Sequence, residues 1–218
     1  MNFIKNLFSI KKKEPLTGGF FNATEYEMKN LLCGIGESEI RKDKIAITDY
    51  PFEPSIVYPN KIISANEINF ISADFGLCRI YIDTDIIFVT SEQKAELIKF
   101  AEINEIKLIK HSWNWNWILE PYVDTEFTDD NEKRVEKCLL NVGIDKNETK
   151  SIRDEVGKQM FKYNFDTMLW DWCSLGLCDV LSAMRVKYNK TDFKDFYQRA
   201  IEIDKREENP LNTVYKKC

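Results

Sequence analysis

Residues His111–Glu126 read HSWNWNWILEPYVDTE, and the division of the chain is decided there. The stretch holds the only histidine and three of the five tryptophans, and it carries the carboxylates Glu120, Asp124 and Glu126. Before it, apolar residues alternate at strand period; after it, they recur at spacings of three and four. The expected fold class is therefore α+β. A small, mostly antiparallel sheet with one covering helix spans 17–120 and packs on a helical bundle over 121–207. A basic amphipathic segment, 1–16, precedes these parts and a polar tail, 208–218, follows them.

Read as a strand, Trp113-Asn114-Trp115-Asn116-Trp117 places three indoles on one sheet face and both asparagines on the other. Such a face either cements sheet to bundle or offers a stacking platform, and the cementing role is preferred. Read as the start of a helix, Trp113 and Trp117 share a side and Trp115 diverges.

Working upstream, Lys44–Thr48, Lys61–Ser64, Glu67–Ser72, Leu77–Asp83, Asp85–Thr90 and Ile106–Lys110 carry the Ile, Val, Phe and Tyr of short strands. Asp83-Thr84-Asp85 reads as a hairpin turn. Asn22 with Glu25, and Thr90 with Gln93, have the spacing of helix N-terminal capping pairs. The second opens a helix through Glu102, with Ala95, Leu97, Ile98 and Ala101 toward the sheet. The order of elements in this half loosely resembles that of pleckstrin-homology-like bacterial domains, a likeness of architecture that carries no function.

Downstream there is no proline between Pro121 and Pro210. Asp129 with Glu132 and Asp145 with Glu148 cap two helices, the second carrying Ile152, Val156 and Met160. Phe165–Val186 reads as one central, nearly all-apolar helix. A last helix from about Thr191 shows the stripe Phe193, Phe196, Tyr197, Ala200 and Ile201.

At 218 residues, 44% hydrophobic and 31% charged, the chain can bury a core without staples. A net charge of -5 argues against nucleic acid as partner. Six cysteines without C-x-x-C spacing read as reduced thiols, which with the absence of a secretory pattern leads to a cytoplasmic expectation. Phe3, Ile4, Leu7 and Phe8, backed by lysines, form a short amphipathic stretch. Membrane contact through residues 1–13 is its functional reading, and a docked or frayed tail the preferred one.

Any imidazole acid or base must be His111. Glu120, Asp124 and Glu126 are oxygen ligands of the type a hard cation takes, but their spacing matches no calcium loop. Asp171 and Asp179, on the expected central helix, are candidates for buried acids that need a partner, a proton or a ligand. Asp74-Phe75-Gly76, Gly34-Ile35-Gly36 and Ser91-Glu92-Gln93-Lys94 imitate catalytic motifs without the context those require. No cofactor or metal is implied.

Three functional expectations follow. The first is a non-catalytic, immunity- or inhibitor-like interaction protein that binds a protein partner through an acidic and aromatic surface around 111–132. Its contacts would be His111, Trp113, Trp115, Trp117, Glu120, Asp124 and Glu126. The second is an enzyme or metal-binding protein with a carboxylate-lined cleft between sheet and helices. The third is a peripheral membrane protein tethered by residues 1–13.

Overall fold

The computed structural model describes residues 24–123, 127–166 and 174–207. Strands β1 (Glu37–Ile40), β2 (Lys44–Thr48) and β3 (Lys61–Ser64) pair antiparallel in that order, with Glu37 opposite Thr48 and Lys44 opposite Ser64. Strands β4 (Phe70–Ser72), β5 (Cys78–Ile82), β6 (Asp85–Val89) and β7 (Lys107–Leu108) form a second sheet, ordered β6-β5-β4-β7. Its pairs are antiparallel except β4 with β7, which run parallel. Two small sheets thus replace the single one expected. The 3-10 turn Ala65–Glu67 separates β3 from β4, which pairs with strands of the second sheet.

The two sheets bury differently. β2 alternates, with Ile45 and Ile47 inside, whereas every residue of β5 and β6 is buried. β5 and β6 therefore lie between other layers, and even Arg79 goes in with them. Strand β1, whose sequence ESEI is too polar to announce itself, is an edge strand. Gly36 makes its entry possible. It sits at φ +73°, and a Cβ there would stand 2.4 Å from the Thr48 carbonyl oxygen.

Helix α1 (Glu25–Leu31) is capped by Thr24 with Glu27, two residues later than the pair read at Asn22, which lies outside the described residues. Thr24 Oγ1 accepts from the Glu27 N–H at 3.2 Å, and Glu27 Oε2 accepts from the Thr24 N–H at 2.7 Å. Helix α2 (Lys94–Ile103) follows a 3-10 turn, Ser91–Gln93, in which Thr90 Oγ1 accepts from the Glu92 N–H. It buries Leu97, Phe100 and Ala101, while Ala95 faces solvent.

The second half contributes α3 (Asn114–Leu119), α4 (Asp129–Asn141), α5 (Lys146–Asp166), α6 (Leu177–Lys187) and α7 (Lys190–Asp204). The expected α5 start holds, with Asp145 Oδ1 accepting from the Glu148 N–H at 2.8 Å and Ile152, Val156 and Met160 buried. The cap of α4 is Thr128, which accepts from the Asn131 N–H. The α7 stripe is buried from Phe193 to Ile201.

Two elements differ in kind from the reading. Phe165–Val186 is not one helix, because residues 174–176 are non-helical and α6 starts afresh. Gly176 is its extended N-cap, and Asp179 Oδ2 accepts the Gly176 N–H at 2.8 Å, so the α6 N-terminus is closed from within. Likewise the tryptophan strip is no strand. Trp113 is the N-cap of α3, which carries Asn114, Trp115, Asn116 and Trp117.

The described buried apolar residues form one continuous cluster running from Leu31 and the strands to α7. Polar links cross it. Asp85, only 3% exposed, accepts from Ser55 Oγ at 2.6 Å, the Ile56 N–H at 2.9 Å, the Ile86 N–H at 2.8 Å and Tyr197 Oη at 2.7 Å. Arg79 Nη1 donates to both oxygens of Asp204 at 2.8 and 3.0 Å, tying β5 to the end of α7. Among the described residues no helix is long and apolar enough to cross a membrane.

Candidate functional site

Where β4 and β7 meet the start of α3 and the end of α7, the surface opens into a cleft of about 600 Å³, within the range of ligand sites. Phe70, Asp83, Lys110, Trp113, Trp117 and Glu207 are among its walls. A second cavity, of about 250 Å³, lies behind it between Phe75, Arg79, Asn116, Cys178 and Asp179. His111 borders both.

The three tryptophans diverge as a helix start requires. Trp115 is fully buried and donates its indole N–H to the Ala200 carbonyl at 2.9 Å. Trp113 is 40% exposed and lies against Phe75, itself 39% exposed, with ring centroids 4.5 Å apart. Trp117 is half-buried in the cleft wall. A common indole platform is ruled out by this geometry, because residues two apart on a helix point in different directions.

His111 stands behind the exposed pair, its ring 5.0 Å from Phe75 and 4.9 Å from Trp113. Asn116 fixes its tautomer. The Asn116 amide NH₂ donates to Ser174 Oγ at 2.7 Å, which leaves Oδ1 to receive the His111 Nε2–H at 3.0 Å. Nδ1 is then an acceptor, and it is buried without a partner. Burial, reinforced by the nearby Arg79 charge, holds the imidazole at about 4, so at neutral pH it is uncharged.

The predicted acids do not converge. Glu120 is bonded to Arg134, and Glu132 holds Arg153 at 2.8 Å. Asp179 accepts from Tyr163 Oη at 3.0 Å as well as from Gly176, and burial raises its carboxyl above the ordinary range despite these bonds. It borders the second cavity, not the cleft. Asp124, Glu126 and Asp171 lie outside the described residues. Among the described residues no three His, Cys, Asp or Glu side chains stand together as metal ligands. Burial also pushes the Cys178 thiol well up, so it is a protonated thiol and a poor nucleophile.

Sequence reasoning missed the Arg79–Asp204 pair, in which both side chains are nearly inaccessible. Burial lifts the Asp204 carboxyl to about 6 against the opposing pull of Arg79. It also missed Asn69, Phe70 and Lys110 in the cleft and Phe75 at the second cavity. A single signal was available, since Asp74-Phe75-Gly76 places an aromatic residue at a turn, where Gly76 is left-handed at φ +56°.

No known family model matches the chain, and neither the curated proteins nor the solved structures contain a significant match to it, so the pleckstrin-homology-like likeness of the first half gains no support from them.

Proposed function

We propose that this is a non-catalytic binding protein of regulatory or inhibitor-like type, which holds a protein partner at the cleft between the four-stranded sheet and the ends of α3 and α7. The observation that carries the reading is the exposed Phe75–Trp113 contact, in which Trp113 lines the cleft of about 600 Å³ and Phe75 lines the smaller cavity. Aromatic side chains left in solvent beside a concavity are the usual anchors of partner recognition, since they offer large rigid contact area at low entropic cost.

The enzyme alternative finds less support. A general base needs a titrating group within reach of a substrate, and His111 is buried under two aromatic rings with its Nε2 already engaged. The described carboxylates named from sequence each have a bond of their own, to Arg134 for Glu120 and to Tyr163 and Gly176 for Asp179. The acidic half of the anticipated surface is thus partly neutralised, and the aromatic half leads.

The test is quantitative capture from cells that make the protein, comparing wild type with a Phe75→Ala/Trp113→Ala double variant. One partner retained at a fixed stoichiometry by wild type and lost by the folded double variant is the expected result. Equal retention by both proteins would overturn the proposal.

A further inference from the structure

We infer that the second cavity, of about 250 Å³, is a binding site for a compact apolar molecule carrying a neutral carbonyl oxygen. The inference is independent of the partner proposed for the large cleft, and it rests on Arg79. That residue is 3% exposed, and its tie to Asp204 uses Nη1 alone, at 2.8 and 3.0 Å. The Tyr81 hydroxyl beside the guanidinium is a second acceptor. A guanidinium carries more N–H groups than these two partners take, and it accepts nothing in return.

The spare N–H groups face the cavity. Arg79 is not among the described side chains whose unpartnered atoms are sealed from solvent, and the hollow it lines is this one. Gly176 lines the same hollow, and a Cβ there would stand 3.9 Å from Arg79 Nη2 and 3.5 Å from Asn116 Nδ2, in ordinary contact with both. The Gly176 backbone does not itself require glycine, since φ is -145°, an extended value open to any residue. The missing side chain leaves Nη2 uncovered.

The other polar groups of the wall are engaged among themselves. Asn116 donates to Ser174 and accepts from His111 Nε2, while the two Asp179 oxygens accept from Tyr163 Oη and the Gly176 N–H. His111 Nδ1 is sealed from solvent, so it offers the cavity no lone pair. The hollow therefore presents the Arg79 donors to whatever fills it, and its ligand must supply an acceptor oxygen.

Charge decides which kind of oxygen. Among the described residues Arg79 is the one cation of the wall, its charge is already met by Asp204, and Asp179 stands in the same wall. No positive charge is left over for an anion, so a carboxylate or phosphate is held less well than an uncharged C=O, which takes the bond without a counter-charge. Apolar surface decides the rest, because Phe75, Leu77, Phe88, Leu175 and Leu177 line the hollow. An apolar cavity of about 150 Å³ holds benzene, so one of about 250 Å³ holds a ring with a short substituent.

The probes are acetophenone, its isostere α-methylstyrene, in which CH₂ replaces the oxygen, and benzoate, each titrated into the full chain with isotope-labelled methyl groups and followed by NMR. Expected are shifts at Leu175 and Leu177, and none at Ile109 or Val142, which line the large cleft. Acetophenone should bind about tenfold more tightly than α-methylstyrene, the difference made by one hydrogen bond to a charged donor, and more tightly than benzoate. Gly176→Val should abolish the shifts by filling the space before Nη2, with its fold checked by unchanged methyl signals elsewhere in the core. The pair Arg79→Met/Asp204→Leu removes the donor together with its counter-charge, and should bind acetophenone and α-methylstyrene alike. No shift with acetophenone, shifts at the cleft methyls instead, or α-methylstyrene or benzoate binding as tightly as acetophenone would overturn the inference. So would binding retained by folded Gly176→Val, or an acetophenone preference that survives in the paired variant.

Discussion

Trp115 lies on a short helix whose N-cap, two residues earlier, is Trp113, and the two lead opposite lives. Trp115 enters the core and bonds the α7 backbone, while Trp113 stays at the rim against Phe75. The difference arises from backbone period alone. A strand would have put both on one face, whereas a helix turns them roughly 200° apart, so identical residue types divide between core and surface.

Substitutions should divide along the same line. Trp115→Ala removes a fully buried indole and leaves a cavity, so it should cost about 3–5 kcal/mol of stability, read as a lower midpoint in urea. Arg79→Ala should approach the same loss, about 3–5 kcal/mol, because Asp204 would remain buried without its counter-charge. A paired Arg79→Met/Asp204→Leu variant should recover part of that loss, and equal damage from single and paired changes would break the account.

The next effect is electrostatic. The His111 pKa is lowered from 6.5 to about 4 on folding, so between these values the unfolded chain binds the extra proton. Its contribution to stability is complete above pH 6.5 and is lost as pH falls toward 4, by up to about 3 kcal/mol. Asp204 acts with opposite sign. Its carboxyl is raised from 3.8 to about 6, so the folded chain binds the proton first and that group favours folding as pH falls from 6 to 3.8. The wild type should therefore show a shallow pH profile of unfolding free energy, and His111→Gln should become measurably more stable in acid relative to its own value at pH 7.

Trp113→Ala should be the smallest perturbation of stability, about 0.5–1.5 kcal/mol, because its ring is 40% exposed and loses only the contacts with Phe75 and His111. A loss comparable to that of Trp115→Ala would show that the rim indole belongs to the core after all.

How much of this was legible follows from the range of each interaction. Short strands and the α7 stripe are local patterns, and they came out close to their observed bounds. The tryptophan strip was ambiguous because five residues fit both a two-residue and a helical period; the neighbouring Ile118 and Leu119, both fully buried, break alternation and were the available clue. The break before α6 was also readable, since Gly176 followed three residues later by Asp179 has the spacing of a helix start. Strand β1 was not, because Ile40 is the one apolar residue of an edge strand otherwise made of Glu and Ser. Least legible was the site. Asn69 and Asn114 are held in the cleft wall by bonds to the Asp83 N–H and to carbonyls of residues 203 to 206, and nothing local marks such long-range bonds.

The four hydrogen bonds on Asp85 have a dynamic consequence. They fasten the 55–56 loop, the head of β6 and the last helix to one dry carboxylate, so α7 cannot peel away without leaving that charge unsolvated. Segments far apart in the chain should therefore exchange their amide hydrogens in a single opening event, and protease sites around Ile56 and Tyr197 should become cleavable together.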